Sequence, residues 1–200
     1  MTLQPPPVAR VSDRCAIVNK TMNRADLTAP AAAPIVGALN DLIRSVAERG
    51  VCMSSWHGSL PEPPSLWTRL LRRPPPQVGL ASRGPYYEPL PGAADDARLP
   101  WYLYWEIAWV MRHGPQLRPG LRLLDAGGAS SLFSCYLASL GCEVHTVDLD
   151  RTLVHNSALL ARTMRWPLHA YTMDLATLEF PDAYFDHAYS ICVFEHLDLP

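Results

Sequence analysis

The sequence lacks any C-x-x-C pair among its five cysteines, Cys15, Cys52, Cys135, Cys142 and Cys192, and their number is odd. Both features argue against a disulfide framework and a structural zinc site and leave free thiols in a reducing compartment as the expectation. Long apolar runs are missing as well. The most apolar stretch, Trp101 to Met111, is interrupted by Glu106 and falls short of the roughly 20 residues that span a bilayer. The opening segment MTLQPPPVARVSDR has no apolar signal core, so a soluble, cytoplasmic protein is expected. Basic charge is scarce where a polyanion would need it: residues 121–200 carry 4 basic and 10 acidic side chains, against 13 and 9 in residues 1–120. Nucleic acid is therefore not an expected partner.

Proline becomes scarce partway along. Seventeen of the 20 prolines precede position 121, which places a boundary near Pro119-Gly120 and divides the chain into an extension, 1–119, and a core, 120–200. In the extension, residues 1–30 show no sustained periodicity and are expected to be irregular. From Pro34 to Gly50, Ile35, Leu39, Leu42, Ile43 and Val46 recur at helical spacing, with Gly50 as the stop. A short helix is predicted from Ser65 to the triple proline at 74 to 76, then an irregular strap to Pro100 anchored by Tyr86, Tyr87 and Leu90. Residues 101–113 form a third helix closed by Gly114-Pro115, with Trp101, Trp105 and Trp109 in one stripe. That stripe is expected to pack on the core behind it. A sharper alternative makes the helix a lid whose Tyr102 or Tyr104 closes over a ligand.

After the boundary the pattern alternates regularly. Leu121, Leu123 and Leu124 make a strand that stops at Asp125, and Gly127-Gly128-Ala129 forms a turn. Ser130 or Ser131 then caps a helix that Gly141 ends. A strand from Glu143 to Val147, a helix from Asp150 to about Met164, a strand from Leu168 to Thr172 and a fourth strand from His187 to about Cys192 follow. Such repetition implies an α/β, doubly wound, mainly parallel sheet with its ligand at the C-terminal strand ends.

Three carboxylates, Asp125, Asp148 and Asp174, fall at or just beyond those ends. An ionised Asp148 can accept both hydroxyls of a ribose. Asp174 can accept an exocyclic adenine amine, with the Leu175 N–H free for a ring nitrogen. Asp150 reads as a helix N-cap, and Asp182 and Asp186 as turn residues. A nicotinamide dinucleotide is the less favoured ligand, because G-x-G-x-x-G starting at Gly127 would need glycine where Ala129 and Leu132 stand.

The segments DAGGAS (125–130), VDLD (147–150), MDLATLEFPDAYFDHAYS (173–190) and ICVFEHL (191–197) resemble the class I S-adenosylmethionine-dependent methyltransferases, over about residues 101–200. The resemblance implies a Rossmann-like core with S-adenosyl-L-methionine as cofactor. It assigns Asp125, Ala126, Gly127 and Gly128 to the methionine end, Asp148 and Leu149 to the ribose, Asp174 and Leu175 to the adenine, and Ser190 and Ile191 to the methionine side. The second glycine of the usual D-x-G-x-G is Ala129, which the turn tolerates if that residue keeps negative φ. Glu195 and His196 follow strand four on the substrate side and are the catalytic candidates. The phrase SICVFEHL is also similar to cyclopropane fatty acid synthases.

No metal is expected: where related enzymes have E-x-x-E-H, Cys192 replaces the first glutamate. His57, His113, His145, His155, His169 and His187 have no partner spacing and are given no role. The expected acceptor is a small molecule or lipid. The sequence reaches Pro200 just after strand four, where the family continues with further strands. An incomplete core is the expectation, and a non-catalytic fragment or cofactor-binding module is the alternative to an enzyme.

Overall fold

The computed structural model describes residues 22–55, 58–61 and 99–194. The helix expected from Ser65, most of the proline-rich strap, and Glu195 and His196 lie outside the described residues.

Within the stretch expected to be irregular, Arg24–Thr28 forms one 3-10 turn, with the Asn23 side chain accepting from the Ala25 N–H. Helix α1, Ala33–Glu48, starts on Pro34 and buries Leu39, Leu42, Ile43 and Val46, each burial contributing about 1.5–3 kcal/mol. It stops where Gly50 takes φ +72°, a conformation that costs glycine little. Helix α2, Trp101–His113, has the predicted bounds.

The tryptophan stripe packs on the core only in part. The face of α2 that enters the core carries Tyr104, Ile107 and Ala108. Trp101 and Trp105 only flank that face, and Trp109 is 48% exposed. The indole N–H explains part of the difference: Trp105 Nε1 donates to Asp26 Oδ2 at 3.1 Å, so the ring stays near the surface where its polar atom has a partner. Tyr104 is 2% exposed and its hydroxyl meets Asn40 Oδ1 at 3.2 Å, which removes it as a lid residue.

The sheet has four parallel strands, β1 (Arg122–Ala126), β2 (Glu143–Asp148), β3 (Leu168–Thr172) and β4 (His187–Tyr189), in the order β3-β2-β1-β4. Two helices return the chain between strands: α3 (Leu132–Ser139) from β1 to β2, and α4 (Arg151–Met164) from β2 to β3. Strand β1 continues through Asp125, which pairs with Thr146 and Tyr189, so the acid lies inside the strand rather than beyond it. Strand β4 is shorter than expected. Ser190 turns its hydroxyl back to the Ala126 carbonyl at 3.1 Å, and Cys192 adopts φ +55°, which takes the chain out of the extended ladder.

Alternation sorts the strands onto two faces. One carries Leu123, Val144 and Leu168, in a single core with Leu39, Val46, Tyr104, Ile107, Phe133 and Leu160. Residues on both sides of position 120 build that core. On the other face, Leu124, Ala126 and Val147 are covered by Tyr171, Met173, Leu175, Phe180 and Phe185. The FPDAYF segment thus folds back as an aromatic cover for the sheet.

Candidate cofactor site

The C-terminal ends of β1, β2 and β4 meet at the glycine turn. The Gly127 N–H donates to the Val147 carbonyl at 2.9 Å and the Ser131 N–H to the Gly128 carbonyl at 3.0 Å. Gly127 has φ +78°, and a Cβ there would come within 2.5 Å of the Val193 side chain. At Gly128 the φ is ordinary, but a Cβ would run into the Asp125 carboxylate. The two glycines are therefore required for different reasons: the first for backbone conformation and Val193, the second to leave room for the acid. Ala129 is not among the residues with positive φ, and Ser130 is, at +63°. The left-handed step that the missing glycine would have eased falls one residue later.

Asp125 is buried, 1% exposed. Its Oδ2 accepts the Ser134 hydroxyl at 2.6 Å and the Ser131 hydroxyl at 3.3 Å. Ser131 is the cap of α3, its hydroxyl oxygen accepting the Ser134 N–H at 3.0 Å. Burial pushes the Asp125 carboxyl up to about 6, against the lowering effect of the two serine bonds. The same burial, reinforced by the Asp125 charge, pushes the Cys135 thiol up.

Ser130 was missing from the sequence-based assignment. It is fully buried; its N–H donates to Ser157 Oγ at 2.6 Å, and Asn156 Nδ2 donates to its Oγ at 2.6 Å. Asn156 also donates to the Cys52 carbonyl at 2.7 Å, and the Ser54 N–H donates to the Ser130 carbonyl at 2.8 Å. The turn is thus fastened to α4 and to the extension. A signal existed: Asn156 and Ser157 are polar residues between Leu153 and Leu160, on the buried face of α4.

Asp148 closes β2, half-buried, with Oδ1 accepting the Asp150 N–H at 2.8 Å. Burial raises its carboxyl above the ordinary range, against the bond from the Asp150 N–H, and the Asp150 charge adds to the rise. Leu149, beside it, is 69% exposed, a large apolar side chain presented to solvent at the strand end. Asp150 caps α4 as expected, its Oδ1 accepting the Thr152 N–H at 2.7 Å. Asp174 lies two residues past β3, exposed, and accepts the Ala176 N–H at 2.9 Å; Leu175 packs on the outer-face cluster. Asp186 is more than a turn residue: its Oδ2 accepts the Arg122 N–H at 2.7 Å and its own N–H donates to the Arg122 carbonyl at 2.8 Å, fixing the register of β4 on β1. Ser190 and Ile191 are half-buried beside the turn.

No curated protein sequence matches the chain. Among solved structures, a TehB-like SAM-dependent methyltransferase from Corynebacterium glutamicum is similar at 23% identity, covering 43% of this chain and 43% of that one, with a TM-score of 0.34. A SAM-dependent methyltransferase from Aquifex aeolicus is 16% identical over 42% of this chain and 47% of that one, with a TM-score of 0.38. Coclaurine N-methyltransferase is 15% identical over 80% of this chain and 42% of its own, with a TM-score of 0.42. The chain spans less than half the length of each. A family model described as a methyltransferase domain matches residues 124–200, the region that begins in β1 and contains the glycine turn, Asp148 and Asp174. Over residues 124–200 the chain is accordingly similar to the methyltransferase-domain family.

Proposed function

We propose that the protein transfers the methyl group of S-adenosyl-L-methionine to a small-molecule or lipid acceptor. One observation carries the reading: Asp148 stands at the end of β2 directly beside the turn, which the Gly127 N–H to Val147 carbonyl bond holds against that strand. In this reading Asp148 accepts the ribose hydroxyls, Leu149 covers the nucleoside, and Asp174 with the Leu175 N–H takes the adenine edge. Gly127, Gly128 and Ala126 give the methionine part its backbone approach, and Ser190 and Ile191 border it. Asp125 acts from beneath, by holding the start of α3 through its serines.

The cofactor's sulfonium supplies an activated methyl group, so the protein's task is to align the acceptor and exclude water. Glu195 and His196, three and four residues beyond Cys192, are the candidates for taking a proton from the acceptor. The extension covers the cofactor or shapes the acceptor site in this reading, which is supported by the bonds from Asn156 to the Cys52 carbonyl and from the Ser54 N–H to the Ser130 carbonyl. Among the described residues no helix is long and apolar enough to cross a membrane.

Calorimetry with S-adenosylmethionine and its demethylated product tests the cofactor assignment. The chain should bind both, and Asp148→Ala should weaken binding by at least tenfold. Equal affinity in the variant would overturn the ribose role. Binding without turnover on any acceptor tried would favour a cofactor-binding module over an enzyme.

A further inference from the structure

Away from the strand ends, the outer face of the sheet brings together Glu143 and His145 of β2 and His169 of β3. Each offers one ligating atom, and these atoms all lie within 4.8 Å of one another. The parallel register pairs His145 directly with His169, and their rings stack with centroids 4.9 Å apart. Glu143 lies two residues before His145 on the same face, its Oε1 3.1 Å from His145 Nε2.

We propose that these three side chains form a binding site for a divalent transition-metal ion of the zinc type. Two imidazoles and a carboxylate are a donor set that zinc uses with a fourth, open position. Bonds of about 2.0–2.1 Å in tetrahedral array place ligand atoms roughly 3.3 Å apart. The Glu143–His145 separation already meets that spacing. His169 is exposed, so a rotation of its side chain can bring its nitrogen in while the buried His145 stays in place.

Outer contacts support the orientation. His145 Nδ1 lies 3.1 Å from the Tyr171 hydroxyl, so a ligating, unprotonated Nε2 leaves Nδ1–H to donate to Tyr171. That is the arrangement by which metal-bound histidines are usually held. The rings of Phe180, Tyr184 and Phe185 meet His145 edge-on and restrict its rotation. Arg122 is a cation nearby: its Nε is 3.8 Å from Glu143 Oε2, and its guanidinium lies 4.4 Å from the centre of the Tyr184 ring. That charge opposes any cation that the ligands hold weakly, and a donor set with two imidazoles and a single carboxylate holds calcium or magnesium weakly. It leaves imidazole-seeking ions, zinc, cobalt, nickel and copper, as the class that fits. The site crosses from β2 to the edge strand β3 and would clamp the two together.

The 200-residue chain, stripped with a chelator, is titrated with cobalt(II) as a visible probe, followed by zinc(II) in competition. One cobalt per chain with a tetrahedral d–d band is expected, displaced by zinc, with a zinc-dependent rise in melting temperature. His169→Ala and Glu143→Gln should each abolish the band and the rise. Tyr171→Phe should weaken affinity by about tenfold, the low end for loss of an outer contact. Both ligand variants alter partly or fully exposed side chains, and each is melted without metal; one that melts as wild type does is sufficient for the comparison. Absence of a band in the wild type, or bands and zinc shifts in both variants equal to the wild type, would overturn the site. Cofactor affinity is measured in the same samples and should not change with zinc, so failure of the metal site and failure of the methyltransferase reading are told apart.

Discussion

The Ser134 hydroxyl donates to Asp125 Oδ2 at 2.6 Å, joining the second-last residue of β1 to the first turn of α3 beneath the glycine turn. An acid so placed makes folding depend on pH. Its carboxyl rises from 3.8 to about 6, with burial the largest cause. The folded state therefore holds the proton more tightly than the unfolded chain, and stability falls as pH rises from about 4 to about 6. Two units correspond to roughly 3 kcal/mol. Asp125→Asn should flatten this part of the profile, measured as urea unfolding free energy of variant against wild type at pH 4, 5, 6 and 7. A difference independent of pH would show that Asp125 does not titrate in this window.

Ser134→Ala removes the shorter of the two hydroxyl bonds and leaves a buried carboxylate short of a donor. The expected loss at pH 7 is about 1.5–3 kcal/mol, the range for a hydrogen bond to a charged group. At pH 4, where the carboxyl of the folded state is protonated, the loss should be smaller. Chemical unfolding at the two pH values checks this. Ser131→Ala, which loses the α3 cap as well as its 3.3 Å contact, should show a smaller difference between the two pH values than Ser134→Ala, because the cap bond does not depend on the Asp125 charge.

The two glycines should respond differently to a methyl group. Gly127→Ala faces a left-handed backbone, costing about 1–2 kcal/mol, and a clash with Val193 worth about 1–3 kcal/mol. Adding Val193→Ala should recover part of the second cost. Gly128→Ala needs no left-handed backbone and its nearest collisions are with Asp125, so Val193→Ala should not help it. Melting temperatures of the four proteins decide the matter; rescue of Gly128→Ala by Val193→Ala would contradict the assignment of the clash to Asp125.

The strand-helix alternation, the bounds of α2 and β3, the cap at Asp150 and the stop at Gly50 were legible because each rests on local rules: periodicity, capping and turn chemistry. What escaped rests on register. His145 and His169 have no motif spacing, and become neighbours only because β2 and β3 pair in one alignment. Asp186 reads as a turn residue until β4 is placed on β1. The tryptophan stripe is only partly right: Trp101 and Trp105 pack against the core and Trp109 does not, because helical spacing identifies a face but not how deeply it is buried, and Tyr104 and Ile107 take the core position. At the candidate site, the acids at the strand ends could be read, whereas the buried Ser130, Asn156 and Ser157 network needs α4, the turn and the extension in three dimensions.

Asn156 links the extension to the turn alongside the direct bond from the Ser54 N–H to the Ser130 carbonyl, since its Nδ2 donates both to the Cys52 carbonyl and to Ser130 Oγ. Asn156→Ala should cost about 2–3 kcal/mol, two bonds at about 1 to 1.5 kcal/mol each. It should also weaken cofactor binding, because Ser130 follows the turn directly. Asn156→Asp keeps the shape but loses the donor, and should behave as the alanine variant does. Calorimetry and unfolding on both variants check this; unchanged cofactor affinity in a destabilised Asn156→Ala would show that the network supports the fold alone.

Asp148 ties the proposed cofactor role to pH. Burial holds its carboxyl above the ordinary 3.8, so the side chain loses its charge at a higher pH than a free aspartate would. A neutral carboxyl accepts the two ribose hydroxyls less well than an ionised one. Cofactor affinity should therefore fall on acidification, beginning above the pH at which an ordinary aspartate titrates, and Asp148→Asn should bind weakly with little pH dependence. Calorimetric titrations of wild type and variant across the acid range, at pH values where melting shows both to be folded, provide the measurement. A wild-type profile parallel to that of Asp148→Asn would place the titrating group elsewhere and remove the carboxylate-to-ribose contact from the proposed site.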